Sequence, residues 1–167
     1  DYDGIGSYDL STLDETLLDG QIGVSISYYE SQEDADNATN VLDVTYQNIV
    51  ADTQTLYVRL EVDETGCYAT TTQELIVNPI PTVLVGPAYE VCDDDYDGIG
   101  SYDLSTLDET LLDGQIGVSI SYYESQEDAD NATNVLDVTY QNIVADTQTL
   151  YVRLEVDETG CYATTTQ

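Results

Sequence analysis

The chain has 167 residues, of which 34 are Asp or Glu and two are Arg, and with no Lys or His its formal net charge is -32. Nucleic acid is excluded as a partner, because there are almost no cationic side chains to neutralise phosphates. No apolar run reaches the roughly 18 residues that a membrane-spanning helix needs. Hydrophobic residues make up 41% of the chain, too many for a disordered acidic tail. We therefore expect folded domains that do not insert into a membrane in this segment.

One stretch of sequence occurs twice without a single change. Residues 1–73 recur as residues 95–167, which gives a period of 94 residues, and residues 74–94 complete the repeating unit. A repeat of this length is too long for one unit of a solenoid and matches a small autonomous domain repeated in tandem. The sequence therefore predicts two copies of one domain, each with the neighbouring repeat as a partner in the same chain.

The run Asn78-Pro79-Ile80-Pro81 marks the expected boundary between the domains. Its prolines remove backbone donors and stiffen the joint. We therefore predict a first domain at residues 1–78 and a second at residues 79–167. Relative to the repeat, the first is expected to lack its opening strand and the start of its aspartate loop, and the second the end of its last strand.

Alternating runs and turn signals predict an all-β fold with one short helix in each repeat. The helix is expected after Thr12, an N-cap residue with Glu15 three positions later, and Gly20 ends it. The polar stretch that follows the second strand is predicted as a loop or a helical turn. Extended strands are predicted at 7–10, 22–29, 41–46, 56–62 and 67–77, with a hairpin turn at 63–66 and a further strand from 82. About seven short strands in a repeat of this size indicate tandem immunoglobulin-like β-sandwich domains.

The run from Cys92 to Leu104, CDDDYDGIGSYDL, has the ligand spacing of a calcium loop. Three Asp fall at positions one, three and five of such a loop, a Gly at six, and a backbone carbonyl at seven. Position twelve holds Leu104 in place of the usual glutamate, so we predict Asp103 as the substitute, because strand alternation turns it toward the loop. The predicted calcium ligands are Asp93, Asp95, Asp97, Ile99 and Asp103, and in the first copy Asp1, Asp3, Ile5 and Asp9. The alternative is an acidic surface turn that binds no metal.

The three cysteines allow two pairings. Cys92 and Cys161 belong to one repeat, and a disulfide between them would stabilise the domain by roughly 4 kcal/mol in the chain-entropy model. The rival pairing, Cys67 with Cys92, would join adjacent domains across the proline joint. The sequence favours the bridge within the repeat, and free thiols are the third alternative. Either disulfide implies an oxidising, extracellular setting.

The remaining candidate residues have a structural and a functional interpretation. The pairs Tyr28-Tyr29 and Tyr122-Tyr123 are predicted to fill the core, and the alternative is an exposed ring that stacks on sugars. Arg59 and Arg153 are expected to pair with a nearby carboxylate, and the alternative is a ligand-binding arginine. An enzyme is not expected, because without His or Lys only a carboxylate pair is available for catalysis.

Several runs together resemble the tandem repeats of giant cell-surface proteins in gliding and predatory Bacteroidota. They are VCDDDYDGIGSYDL, VSISYYES, TLYVRLEV followed by DETGCYATT, and NPIPTV. The resemblance implies an extracellular stalk of immunoglobulin-like domains, exported by type IX secretion, that projects an adhesive or prey-catching end.

The sequence thus predicts a structural segment of a giant extracellular adhesin-like protein at the cell surface. We expect calcium to neutralise carboxylates and stiffen the joints between copies. A glycan- or protein-binding module, with a ligand site in every repeat, is the alternative. Whether several chains bundle into a homo-oligomeric filament is left open, although exposed strand edges invite such pairing.

Overall fold

The computed structural model describes residues 2–167. The chain divides into two compact units, Asp1–Asn78 and Pro79–Gln167, which we call unit 1 and unit 2. Each unit is a β-sandwich built from a two-stranded and a three-stranded antiparallel sheet, with two short α-helices. The described part of the chain contains no helix that is long and apolar enough to cross a membrane.

The described residues of unit 1, 2–78, contain five strands. Its strands and helices are β1 (Ser7–Asp9), a 3-10 helix (Leu10–Leu13), α1 (Asp14–Leu18), β2 (Val24–Tyr29), α2 (Gln32–Asn37), β3 (Thr45–Gln47), β4 (Thr53–Val62) and β5 (Tyr68–Ile76). Strand β1 pairs with β3, and the larger sheet has the order β2-β4-β5. Val58 lies opposite Tyr28 on one side and Thr71 on the other, so β4 is the central strand of the sheet.

Unit 2 repeats this arrangement. Its strands and helices are β6 (Ser101–Asp103), a 3-10 helix (Leu104–Leu107), α3 (Asp108–Leu112), β7 (Val118–Tyr123), α4 (Gln126–Asn131), β8 (Thr139–Gln141), β9 (Tyr151–Val156) and β10 (Tyr162–Thr166). Its sheets have the orders β6-β8 and β10-β9-β7. Central strand β9 is shorter than β4, because β4 gains its first residues by pairing with the end of β5, where Thr53 lies opposite Ile76.

The helices differ in two ways from the sequence prediction. Each unit has two α-helices rather than one: the polar stretch after β2 forms α2, whose N-cap Ser31 accepts a hydrogen bond from the Asp34 N–H. The predicted helix begins earlier than Thr12, as a 3-10 turn capped by the Asp9 carboxylate. Both helices start where a side-chain oxygen satisfies an otherwise free backbone donor.

The strands also differ from the prediction of about seven in each repeat. Residues 41–44 and 79–91 run without regular secondary structure, although alternation predicted strands at 41–46 and from 82. Their apolar side chains still contribute to packing: Leu42 packs against the core of unit 1, and Val83 and Tyr89 pack against the core of unit 2. The alternation therefore predicted neither the backbone pairing nor most of the burial, because Val41, Val44 and Val85 are exposed.

The core of each unit lies between its two sheets. In unit 1 it consists of Leu10, Tyr28, Tyr46, Leu56, Val58 and Leu75. Unit 2 uses the equivalent Leu104, Tyr122, Tyr140, Leu150 and Val152, and adds Leu107, Leu111 and Leu154. Burying these side chains is the main driving force for folding of each unit.

Candidate metal centre and cysteine sites

Three aspartates of the predicted calcium loop lie together in unit 2. Asp93, Asp95 and Asp97 each offer a carboxylate oxygen, and these oxygens lie within 4.8 Å of one another. Asp93 is partly buried, and the other two are exposed. Within residues 2–167 this is the one group of three or more such side chains that could hold a metal ion. Hard oxygen ligands of this kind suit calcium.

The Asp93 carboxylate organises the backbone of the loop. One of its oxygens accepts the N–H of Tyr96 at 2.9 Å, and the other accepts the N–H of Gly98 at 2.8 Å. The hydrogen bond from Gly98 holds the pKa of Asp93 below its usual value. The pKa of Asp95 is raised, because its carboxyl shares a hydrogen bond with Asp93 and lies near the negative charge of Asp97. The three carboxylates therefore repel one another unless a proton or a cation is shared between them.

The loop is fastened to the core through Gly98. The Gly98 carbonyl accepts hydrogen bonds from the Asn142 side chain at 2.8 Å and from the Asp146 N–H at 2.9 Å. Gly98 has a φ of +77°, and a Cβ there would approach the Ala145 Cβ to 2.8 Å. Glycine is therefore required here both by backbone conformation and by space.

The other predicted ligands are placed differently. Asp103 lies outside the group of three: its carboxylate accepts hydrogen bonds from the Ser105 N–H and hydroxyl and so caps the 3-10 helix. Asp9 has the same role in unit 1. The Ile99 N–H donates to Asp97, and the Ile5 N–H likewise donates to Asp3. Asp1 lies outside the described residues.

Each unit has one buried arginine, which links the central strand of the larger sheet to the short helix after the second strand. Arg59 is 7% exposed, forms an ion pair with Glu61 at 2.6 Å, and donates to the carbonyls of Ala35 and Asp36 at the end of α2. Its guanidinium also lies 3.5 Å from the ring centre of Tyr68. Arg153 makes the equivalent contacts in unit 2. The predicted pairing with a carboxylate is confirmed, and neither guanidinium is free to bind a ligand.

The adjacent tyrosines belong to the core. Tyr28 and Tyr29 are 4% and 1% exposed, and the equivalent Tyr122 and Tyr123 are buried to the same degree. Tyr28 donates its hydroxyl proton to Asp14, and burial together with this carboxylate raises its pKa. The prediction that these rings fill the core is confirmed, so they present no exposed face to a sugar.

A network of buried amide side chains has no signal in the sequence. In unit 1 the Asn48 side chain donates to the Gly4 carbonyl and accepts the Gly6 N–H, while Gln54 accepts the Ile49 N–H and donates to the Tyr46 hydroxyl. Asn48 and Gln54 are 2% and 6% exposed, respectively. Buried amides must find partners of this kind. Asn48 also donates to the nearby Val50 carbonyl, but its partners Gly4 and Gly6 lie more than 40 residues away, so no local pattern marks the network.

The cysteines are all present as thiols. Cys67 follows the β4–β5 turn and is exposed, Cys92 precedes the aspartate loop and is exposed, and Cys161 is half-buried just before β10. The structure thus contains neither the favoured Cys92–Cys161 bridge nor the rival Cys67–Cys92 bridge, and the pairing stays a prediction.

A family model described as the Flavobacterium inter-domain disulphide bond domain matches the chain twice, at residues 1–81 and 88–167. The chain belongs to this family. The inter-domain disulphide bond family supports the resemblance to tandem domains of Bacteroidota, and its description agrees with an extracellular structural domain. No curated protein and no solved structure matches the chain.

Proposed function

We propose that the chain is a structural, non-enzymatic segment of an extracellular surface protein, built from domains that are covalently linked to their neighbours. The observation that carries this proposal is the double match to the inter-domain disulphide bond family, together with two identical copies that each have their own core. Repeated domains with separate cores extend a chain without forming a shared active site.

The linking bond that we propose joins Cys67 of unit 1 to Cys92 of unit 2. Both thiols are exposed, and the description of the family names a disulphide between domains. In a tandem array, Cys161 has the position of Cys67 and would pair with the equivalent of Cys92 in a following copy. This pairing uses every cysteine in the same way, whereas a Cys92–Cys161 bridge would leave the joint between domains unlinked.

The proposed bond would restrict the joint more than the proline run does alone. It would close the chain between residues 67 and 92, which includes the whole proline run. A loop of this size corresponds to roughly 3 to 4 kcal/mol in the chain-entropy model. The bond would also resist extension under load, because a covalent link does not open when a domain pulls away.

Peptide mapping tests the pairing directly. The protein is oxidised, its remaining thiols are alkylated, and it is unfolded and cleaved after its two arginines, Arg59 and Arg153. The proposal predicts that Cys67 and Cys92 lie unalkylated in the 60–153 peptide, with Cys161 alkylated in the 154–167 peptide.

A Cys92–Cys161 bridge gives a different map, in which the peptides 60–153 and 154–167 stay joined until they are reduced. That result would contradict the inter-domain bond. Cys161→Ser is the matched control, because it removes the rival pairing and should leave the 60–153 peptide unchanged.

Calcium at the aspartate loop is a second part of the proposal. Asp93, Asp95 and Asp97 fit a hard cation, because one carboxylate oxygen of each lies within 4.8 Å of the others. The Ile99 carbonyl is the proposed fourth ligand. Bound calcium would neutralise carboxylates that otherwise repel one another within a chain of net charge -32.

Calorimetric titration tests the calcium site. We expect binding in the range of roughly 0.1 to 1 mM that is typical of extracellular modules. Asp95→Asn should weaken it, whereas Asp94→Asn, one residue away and outside the group, should leave it unchanged. Equal effects of both variants would indicate only a general attraction of cations to an acidic surface.

The proposed role of these repeats is a stalk that projects an adhesive or prey-catching end from a gliding or predatory cell. Identical copies support this role, because length then grows with copy number. If calcium stiffens the joints, small-angle scattering of a many-repeat chain should show a shorter maximum dimension after EGTA. An unchanged dimension would remove calcium from the proposal while leaving the disulfide untouched.

A further inference from the structure

Residues 44–50 and their copy 138–144, which we call the edge segment of each unit, have the sequence VTYQNIV. The edge segment contains no charged residue, no Pro and no Gly, although 34 of the 167 residues of the chain are acidic. Short segments with high β-propensity, no charge and no Pro are those that pair with copies of themselves. The sequence therefore marks the edge segment as a candidate for self-pairing.

The strand inside the edge segment, β3 in unit 1 and β8 in unit 2, has one open side. The Leu10 N–H donates to the Val44 carbonyl at 2.7 Å, so Val44 and every second residue after it in β3 face β1. Thr45 and Gln47 alternate with them and direct their N–H and C=O groups away from β1. Within residues 2–167 no backbone group bonds to these outward groups. Strand β3 therefore presents a free row of donors and acceptors.

Exposed apolar side chains flank this open edge in both units. Val44, Ile49 and Val50 are 57%, 66% and 53% exposed, and their copies in unit 2 are 56%, 67% and 54% exposed. Residues 74–78 are present in unit 1 and residues 79–94 in unit 2, so the two units together contain every residue of the 94-residue repeat. Because the exposure is the same in both units, neither of these parts of the repeat covers the edge segment.

We propose that the edge segment pairs with the edge segment of a second copy of this chain, by antiparallel strand addition across a two-fold axis. Thr45 of one chain then lies opposite Gln47 of the other, and these residues exchange backbone hydrogen bonds in both directions. The two-fold axis repeats this pair, because the same surface is used on both chains. The register places Ile49 opposite Asp43 of the second chain and keeps the two Asp43 carboxylates apart.

The charge and the repetition of the chain favour a second copy as the occupant. The net charge of -32 makes two copies repel each other, and the uncharged edge segment lets them meet without bringing acidic side chains together. A second chain also offers the same segment in each of its repeats, which raises the local concentration of binding partners. The pairing would join neighbouring chains side by side, and it depends neither on the disulfide nor on calcium.

Sedimentation equilibrium of the 167-residue protein in reducing buffer tests the pairing. We expect the weight-average mass to rise with protein concentration up to about 1 mM. Salt screens the repulsion between copies, so the association should strengthen between about 0.1 and about 1 M NaCl, where the Debye length falls from about 10 to about 3 Å. A constant mass at all protein concentrations and at both salt concentrations would overturn the proposal.

Added charge at the edge segment supplies a matched pair of variants. Ile49→Asp combined with Ile143→Asp should weaken the association at least about tenfold, because each new carboxylate lies opposite an acidic residue in the proposed register. Ile22→Asp combined with Ile116→Asp is the control, since it adds the same charges outside the edge segment, at residues that are 94% and 95% exposed. Equal weakening by both double variants would indicate general repulsion and contradict the pairing.

Thr45→Pro combined with Thr139→Pro separates strand pairing from a contact of apolar side chains alone. The Thr45 N–H bonds to no backbone group in the described part of the chain, so its loss should leave the fold intact, and the melting temperature checks this. In the proposed pair this N–H donates to Gln47 of the second chain, so we expect the association to weaken by roughly fivefold or more. Unchanged association of the folded variant would overturn the strand pairing.

Discussion

Units 1 and 2 contain the same 73 residues in two different settings. In unit 2, where Val83 and Tyr89 pack against the core, Leu111 and Leu154 are fully buried, whereas in unit 1 their counterparts Leu17 and Leu60 stay partly exposed. In unit 1 the end of β5 adds Leu75 to the core. The repeat therefore has a constant centre and two peripheral parts, which are residues 79–91 and the end of β5. The burial of a residue depends on which of these two parts packs against its unit.

The largest expected difference between the units concerns the leucine that only one of them buries fully. Leu154→Ala should lower the free energy of unfolding of unit 2 by about 3 kcal/mol, because it leaves a cavity. Leu60→Ala should cost unit 1 about 1 kcal/mol, because part of that side chain is already in water. Scanning calorimetry of the two single variants measures both losses, and equal losses would show that the two settings are energetically alike.

The buried arginines should show no such difference. Arg59→Leu and Arg153→Leu each remove a guanidinium that bonds two carbonyls at the end of a helix, and these contacts are the same in both units. We expect the melting temperature of the altered unit to fall by roughly 5 to 15 °C in either case. Unequal shifts would mean that the constant centre is itself sensitive to its setting.

The caps of α2 and α4 should give a smaller and equally symmetrical effect. Ser31 and Ser125 each accept the N–H of the residue three positions later. Replacing either by Ala should cost about 1 kcal/mol of unfolding free energy. Urea unfolding followed by circular dichroism measures this loss, and Ser31→Asp, which can still accept the hydrogen bond, should restore most of it.

The smallest expected effect is a loss of stability in acid. Donors from Ser31, Asn40 and Thr39 hold the pKa of Asp34 below its usual value, and Asp128 has the equivalent partners. A carboxyl whose pKa is lower in the folded state stabilises the fold above its unfolded pKa of about 3.9, and this contribution is lost as the pH falls further. Asp34→Asn should therefore flatten the decline of the urea midpoint between about pH 4 and pH 2.5. If the urea midpoint of the variant declines as steeply as that of the unchanged protein, the loss of stability in acid comes from other carboxylates.

The sequence predicts well those features that depend on neighbouring residues. Strand β4 follows from the alternation of Leu56 and Val58 with polar residues, and the turn after it follows from its glycine. The aspartates at 93, 95 and 97 are spaced so that one short loop brings them together, and the structure does so.

The sequence does not predict features in which a side chain has alternative hydrogen-bond partners, or in which its partners lie far away in the chain. Asp103 was expected as a calcium ligand of the aspartate loop. Its carboxylate instead accepts hydrogen bonds from the N–H and the hydroxyl of Ser105, two residues further along the chain. Helix α2 has only Ala35 buried, so no apolar face marked it as a helix. Asn48 is an ordinary polar residue in the sequence and becomes buried only where the distant loop at residues 4–6 supplies its hydrogen-bond partners.

The position of the two arginines has a consequence for the resistance of the protein to proteolysis. Proteases that cut after basic residues find only two targets in this sequence, and both residues are 7% exposed and lie in central strands. Cleavage therefore has to wait until a unit opens, so its rate follows the unfolding equilibrium rather than the surface chemistry. Resistance to such proteases is therefore a direct measure of the stability of each unit.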